Sequence, residues 1–382
     1  FSEDQSMSFA PIIAAWPQDR LASLHEGIAA ADVDAALARE QRTLRDLAAL
    51  LSPVARPYLE PMAREAQRLT RWHFGRTISL YAPIYISNLC AADCLYCGFA
   101  SHSGSREKRI TLTPGQVRTE CRALADLGYQ NILLLTGEAP RIVPVAYIAD
   151  AIAIAREYFP SVSVEVYAMD ETGYDAICQR GLEGVTLYME TYDRETYGVV
   201  HRAGEKMDYD FRLDAIERAG TAGARKLNIG VLLGLFDWRM EAIWVALHAR
   251  HLQKTCWQST VSLSFPRLRH TPARFTVQYP LSDADMVQLM LALRLFLPET
   301  GFTLSTRESA DFRDRLIPLG ITAMSAGSST RPGGYAIHRE GCGTGEGERP
   351  VLEQFEIEDT RSPAEVVAAI RRAGYDPVWK DF

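Results

Sequence analysis

No apolar run in the 382-residue sequence approaches the ~20 residues a helix needs to cross a bilayer. The start has no basic region followed by an apolar signal core. Membrane insertion and secretion are therefore not expected, and a cytoplasmic location is. Basic clusters are equally scarce. Lys and Arg total 41 against 48 Asp and Glu, a formal charge of -7, and the short run from Arg106 to Arg109 is not extended. A nucleic-acid partner, which needs clustered cations along its phosphates, is not expected. A second closely spaced cysteine pair is also missing, which removes the usual four-ligand structural zinc site. The seven cysteines are an odd number. Cys121, Cys178 and Cys256 fall in helix-like segments and read as reduced thiols of an intracellular protein. Cys342, in the glycine-rich stretch 341–347, is either a bystander or a reactive thiol; no cysteine or histidine pattern accompanies it. Residues Phe1 to Ser6 lack an initiator methionine and are expected to contribute no element of the fold.

What is present begins with Cys90-Ala-Ala-Asp-Cys94-Leu-Tyr-Cys97, directly after the apolar run 78–87. Three thiols crowd the end of one strand. Soft thiolates select zinc, copper(I) or iron-sulfur clusters. A cubane cluster has four irons, so three cysteines leave one iron open for a further ligand. The composition, 47% hydrophobic and 23% charged, is that of an ordinary globular enzyme with a sizeable core.

The spacing Cys-x3-Cys-x-aromatic-Cys, with Tyr96 as the aromatic residue, resembles the signature of the radical S-adenosylmethionine (radical SAM) superfamily. Further blocks narrow the resemblance: Ile86-Ser-Asn-Leu-Cys90 through Phe99, Leu134-Leu-Thr-Gly-Glu138, Ser264-Phe-Pro-Arg267, Ser305-Thr-Arg-Glu308 and Leu352-Glu-Gln-Phe-Glu-Ile357. Together, over nearly the whole chain, they resemble the tyrosine lyases of thiazole biosynthesis, the 2-iminoacetate synthases. The resemblance implies a [4Fe-4S] cluster on Cys90, Cys94 and Cys97, with S-adenosylmethionine on the open iron. It also implies a lyase that cleaves the Cα–Cβ bond of L-tyrosine to 2-iminoacetate and p-cresol. Thiazole synthase is the implied recipient of the imine, and a flavodoxin or ferredoxin the implied reductant.

From 76 onward the pattern alternates between β-rich runs and amphipathic stretches. The runs are 78–87, 131–136, 163–169, 184–190, 226–234, 261–268, 303–308 and 323–328. Helices are expected at 114–127, 145–158, 211–222, 238–252 and 282–297. Eight such units predict an α/β fold, a (βα)8 TIM-like radical SAM barrel over 76–330. A helical extension precedes it at 1–75, and a C-terminal extension at 331–382 packs on the barrel. Such barrels collect their chemistry at the C-terminal ends of the strands, and each motif falls there.

Candidate roles follow, each with a plainer alternative. Gly137-Glu138 resembles the family's motif for the methionine ammonium, although Gly-Glu is also a common turn. Tyr96 is expected to set backbone polar groups beside the adenine, or simply to pack its ring. Glu165 and Glu190 offer acceptors for ribose hydroxyls and the ammonium, because buried carboxylates are costly unless matched; a salt bridge between barrel layers is the alternative. Arg212 resembles the arginine that relatives use on the methionine carboxylate, whereas most helical arginines are solvated. Arg307 matches the carboxylate-binding arginine of aromatic amino-acid lyases, with Ser305 two residues earlier on the same face. An ion pair between Arg307 and Glu308 is its alternative. Arg269 and His270 are candidates for handling the phenolic proton. Met189 stands where relatives commonly carry glutamine.

Rival readings are a tryptophan lyase and the tyrosine-cleaving maturase of iron-only hydrogenase, which by resemblance adds a second cysteine cluster that this sequence does not show. From another class, an electron-transfer iron-sulfur protein or a zinc scaffold would close all four metal positions.

Overall fold

The computed structural model describes residues 8–269, 275–338 and 349–379. Its strands are β1 Thr77–Ser87, β2 Asn131–Thr136, β3 Ser161–Glu165, β4 Gly184–Thr186, β5 Lys226–Gly230, β6 Thr260–Ser264, β7 Gly301–Leu304, β8 Ala323–Ser325 and β9 Asp376–Val378. Each of the first eight pairs in parallel with its neighbours, and β8 returns to β1 through Ser79↔Ala323, which closes an eight-stranded barrel. The helices between the strands turn apolar faces inward. In helix Trp238–Thr255, for example, Ala242, Ile243, Val245, Ala246 and Ala249 are fully buried against the barrel. No helix among the described residues is long and apolar enough to cross a membrane.

The strand starts expected from the sequence hold to within two residues, but six strands end sooner. β3 stops at Glu165 rather than 169, β4 at Thr186 rather than 190, and β7 at Leu304 rather than 308. The sequence signal runs on because Val166, Met169, Leu187 and Met189 beyond the ladders are also buried; burial sustains the apolar pattern after hydrogen-bonded pairing has ended. Glu190 and Arg307 therefore sit on loops past the strands. The helix expected over 211–222 is two short helices, Tyr209–Leu213 and Ala215–Thr221, broken at Asp214. β9, not expected, pairs with the first residues of β1.

The barrel lumen is unusual. Such interiors are normally filled by bulky branched residues. Here inward positions carry Ser264 on β6, Thr303 on β7 and Ser325 on β8, and Asn228 Nδ2 of β5 donates to Ser264 Oγ at 3.0 Å. Small polar side chains leave space along the axis and supply hydrogen-bonding groups within it.

Two flanking segments fix the barrel from outside. Arg42, buried, donates to Ala36 and Leu295 carbonyls at 2.9 and 3.0 Å, and Gln288 donates to Leu50 and Ser52 at 2.9 and 2.8 Å. These bonds tie the N-terminal helices to helix Asp283–Phe296. At the other end, the buried carboxylate of Asp359 pairs with Arg313 and Arg361. That anchors the chain between the 352–357 block and helix Pro363–Arg372.

Candidate active site

Strand β1 delivers the chain to the cysteine loop, and the residues around that loop immobilise its backbone. Asn88, fully buried, donates from Nδ2 to Leu352 O at 3.0 Å and accepts from Ile110 N at 2.7 Å. The guanidinium of Arg109 donates to the carbonyls of Phe99 and Ala100 at 2.8 and 2.7 Å. Further along, Leu95 N donates to Val200 O at 3.0 Å and Arg202 N to Asp93 O at 3.0 Å, so the loop is paired with 200–203. Gly98 N donates to Gln354 O at 3.2 Å, and a Cβ at 98 would lie 2.7 Å from that oxygen. Gly137 is tighter, since a Cβ there would stand 2.3 Å from Leu89 O. Both positions need the absence of a side chain.

Cys90, Cys94 and Cys97, none of them in a disulfide, lie on the wall of one cavity. Burial raises all three, Cys90 to about 11, so binding a metal at neutral pH must release protons. Among the described residues no three His, Cys, Asp or Glu side chains are arranged around a single ion. A cubane asks for something else, one thiolate at each of three separate irons. Three soft donors on a fixed loop, close-packed through glycines and facing a cavity lined with charged groups, fit such a cluster.

Gly137, Glu138, Tyr96, Glu165, Glu190, Arg212, Ser305 and Arg307 line the same cavity as the three cysteines. Arg212 Nη1 donates to Glu138 Oε1 at 2.8 Å and its Nε to Tyr188 O at 2.8 Å. Arg212 is thus a buried cation on the cavity wall, not a solvated helix residue. Lys206 Nζ, which sequence reasoning missed, donates to Glu190 Oε1 at 2.8 Å and lies 3.6 Å from Glu138. Burial works against its charge, but Glu190, Cys94 and Glu138 outweigh that and hold its pKa above the usual range. Burial likewise pushes Glu190 up, and Lys206 and Arg212 bring it below its ordinary value. Glu190 is the one described non-glycine residue in the left-handed region, with φ 67°. Leu232 N donates to its carbonyl at 2.8 Å. The next two residues are clamped by buried Glu241, which accepts from Thr191 Oγ1 and from Tyr192 N at 3.0 Å. Surrounding bonds of this kind sustain the strained backbone at Glu190.

Tyr96 donates its hydroxyl to His201 Nε2 at 2.8 Å and packs edge-on against His201 and Phe275. Its ring therefore has a packing role of its own.

The second half of the cavity is less paired. Glu308 accepts from Arg267 Nε at 2.8 Å and from Arg269 Nη1 at 3.0 Å, so the Arg307–Glu308 pair weighed from the sequence is absent. Arg269, held on Glu308, lines a cleft with Leu233 and Ser282 and is not among the residues that line the central cavity. His270, Cys342 and the 341–347 stretch lie outside the described residues. The guanidinium of Arg307 stacks on Phe355 at 3.5 Å and makes no hydrogen bond or ion pair with a described side chain. Burial lowers its pKa. Ser305 Oγ accepts from Arg307 N at 3.4 Å. Met189 is buried.

Two protein-family models match the chain. The pattern described as "Radical SAM superfamily" matches residues 84–244, and "Biotin and Thiamin Synthesis associated domain" matches 264–376. The chain is 44% identical over 93% of its length to the 2-iminoacetate synthase of Escherichia coli (strain K12), covering 92% of that protein. It is 43% identical, with the same shares covered, to the 2-iminoacetate synthase of Salmonella typhimurium. Among solved structures, HydG, a maturase of the [FeFe]-hydrogenase, superposes with a TM-score of 0.86 at 31% identity, covering 95% of this chain and 80% of that one.

Proposed function

The chain belongs to the 2-iminoacetate synthase family of radical SAM lyases, and from that membership we propose a reaction and a division of labour among the residues of the central cavity. When bound, the [4Fe-4S] cluster with S-adenosylmethionine would supply a 5′-deoxyadenosyl radical to take a hydrogen atom from the amino group of L-tyrosine. Cα–Cβ cleavage would then give 2-iminoacetate and a p-hydroxybenzyl fragment, which one electron from the reductant and one proton convert to p-cresol. Cys90, Cys94 and Cys97 would hold the cluster. Glu138 and Arg212 take the ammonium and carboxylate of the methionine portion; their present partnership leaves each with capacity for one more bond. Glu190 and Lys206 lie beside them, where ribose hydroxyls need an acceptor and a donor. Tyr96 sets the loop backbone next to the adenine.

Arg307 binds the carboxylate of the amino acid, with Ser305 fixing the turn that presents it. A planar guanidinium with no anionic partner among the described residues, held against the Phe355 ring, is the observation that carries this reading. Fixing the carboxylate sets the Cα–Cβ bond in one orientation, as a selective fragmentation requires. The enzyme works in the cytoplasm, takes electrons from a flavodoxin or ferredoxin, and passes the imine to thiazole synthase.

The test is anaerobic reconstitution with iron and sulfide, followed by strong reduction with S-adenosylmethionine and L-tyrosine. 5′-Deoxyadenosine, p-cresol and glyoxylate, the hydrolysis product of the imine, are expected. Failure to form 5′-deoxyadenosine would end the radical reading. An indolic product from tryptophan without p-cresol from tyrosine would move the protein to the tryptophan lyases. The likeness to HydG gives the maturase reading its support, and carbon monoxide and cyanide among the products would favour it.

A further inference from the structure

Arg307 is not the only unmatched charge in the cavity. Glu165, the last residue of β3, projects into the lumen in the row Tyr85↔Leu135↔Glu165 and makes no hydrogen bond with a described residue. The other acidic groups on the cavity wall differ: Glu138 is held by Arg212, Glu190 by Lys206 and Glu308 by Arg267. One cation and one carboxylate are thus left over. They sense each other's charge across the cavity, yet no ion pair joins them. A protein rarely leaves two opposite charges apart in a desolvated space unless a ligand comes between them. The ligand that matches both is a zwitterion with its two charged groups on one carbon, an α-amino acid.

We propose that Glu165 receives the α-ammonium of the amino-acid substrate and takes one of its protons, while Arg307 holds the carboxylate of the same molecule. This rests on the reading of the chain as an amino-acid lyase and names a catalytic residue within it. The step moves one proton from the substrate nitrogen to a Glu165 oxygen, so that ammonium and carboxylate become amine and carboxylic acid with no change in electron count. The nitrogen then carries a lone pair, which stabilises the nitrogen-centred radical left by hydrogen-atom loss. Glu165 retains the proton until the imine leaves, and returns it to product or solvent.

The electrostatics suit the task. Burial, then Glu190, raises Glu165 to about 7, while Arg307, Lys206 and Arg212 act to lower it. Tyr81 and Tyr85 of β1 and Tyr188 after β4 also face it, and all three stay protonated because burial raises their hydroxyls. A base with this pKa holds and releases a proton near neutrality.

The experiment compares Glu165→Gln with the unaltered holoenzyme, both reconstituted and loaded with S-adenosylmethionine but not reduced, so that nothing turns over. Equilibrium dialysis measures L-tyrosine, L-phenylalanine and the des-amino analogue 3-(4-hydroxyphenyl)propanoate. The unaltered protein should prefer L-tyrosine to the des-amino analogue by about tenfold or more, as expected for a buried charge contact. In Glu165→Gln this preference should collapse while the tyrosine-to-phenylalanine ratio is kept. After reduction, kcat/KM of the unaltered enzyme should rise with pH through about 7, and the variant should lack that limb. Loss of the tyrosine-to-phenylalanine preference would instead place Glu165 on the phenol. Weaker S-adenosylmethionine binding with the amino preference intact would place it on the ribose. Either result overturns the proposal. Should Glu165→Gln fail to hold iron, Glu165→Asp keeps the test open, since it should retain the amino preference, and its loss there counts against the assignment. If the unaltered enzyme makes no p-cresol from tyrosine, the lyase reading fails before Glu165 is in question.

Discussion

The guanidinium of Arg109 donates to the carbonyl of Asn88 at 2.9 Å. Since the same group also reaches Phe99 O and Ala100 O, one side chain joins the residue that enters the cysteine loop to those that leave it. Hydrogen bonds from a charged donor contribute about 1.5–3 kcal/mol each where they are well formed. The loop's shape therefore depends on a residue that binds no metal.

Arg109→Ala should lower the thermal midpoint and leave a reconstituted protein with less iron, because three carbonyls lose their donor together. Arg109→Lys, which can satisfy fewer of them, should fall between. Iron and sulfide assays beside thermal unfolding measure both effects, and full iron loading of Arg109→Ala would contradict this role.

Arg307→Ala should remove the grip on the substrate carboxylate. Deleting one member of a buried charge pair costs about 2–5 kcal/mol, so kcat/KM for L-tyrosine should drop by about 30-fold to several thousandfold. The residues proposed to hold the cluster and S-adenosylmethionine are others, so 5′-deoxyadenosine should still form without p-cresol. Parallel quantification of the two products checks this uncoupling.

Gly137→Ala places a methyl group 2.3 Å from Leu89 O, a backbone atom next to Cys90. Overpacking of this kind typically costs about 1–3 kcal/mol, and the strain falls on the chain leading into the cluster. A lower thermal midpoint and an altered cluster absorption spectrum are expected, while Gly115→Ala, with nothing within 4 Å, should change neither.

The pH dependence of stability should be a dome. Burial, then His251, lowers His248 from 6.5 to about 3, and its Nδ1 shares a hydrogen bond of 2.7 Å with the Tyr192 hydroxyl. The folded protein therefore binds fewer protons than the unfolded chain between those values, so this stability is complete above 6.5 and is lost as pH falls toward 3. Burial raises Glu241 from 4.5 to about 8. Here the folded protein binds more protons, so stability declines as pH rises from 4.5 through 8. Thermal unfolding across this range should show a shallower acid limb in His248→Asn and a shallower alkaline limb in Glu241→Gln.

The sequence by itself determined whatever is local or periodic. The cysteine triplet lies within eight residues of chain, so its spacing is legible, and the alternation of apolar runs marks where each strand begins. Strand ends were misplaced because Val166, Leu187 and Met189 remain buried past the ladders, and burial leaves the same trace as pairing. Lys206 and Arg109 left no sequence signal: their partners lie on other loops, and a contact that closes only when the barrel does has no period. The pairing of charges was decided the same way. Sequence shows Arg307 beside Glu308, whereas the folded chain gives Glu308 to Arg267 and leaves Arg307 and Glu165 facing one another across a polar lumen. Neighbours in the chain fix which groups are available. Only closure of the barrel sets which of them find partners and which remain open to a ligand.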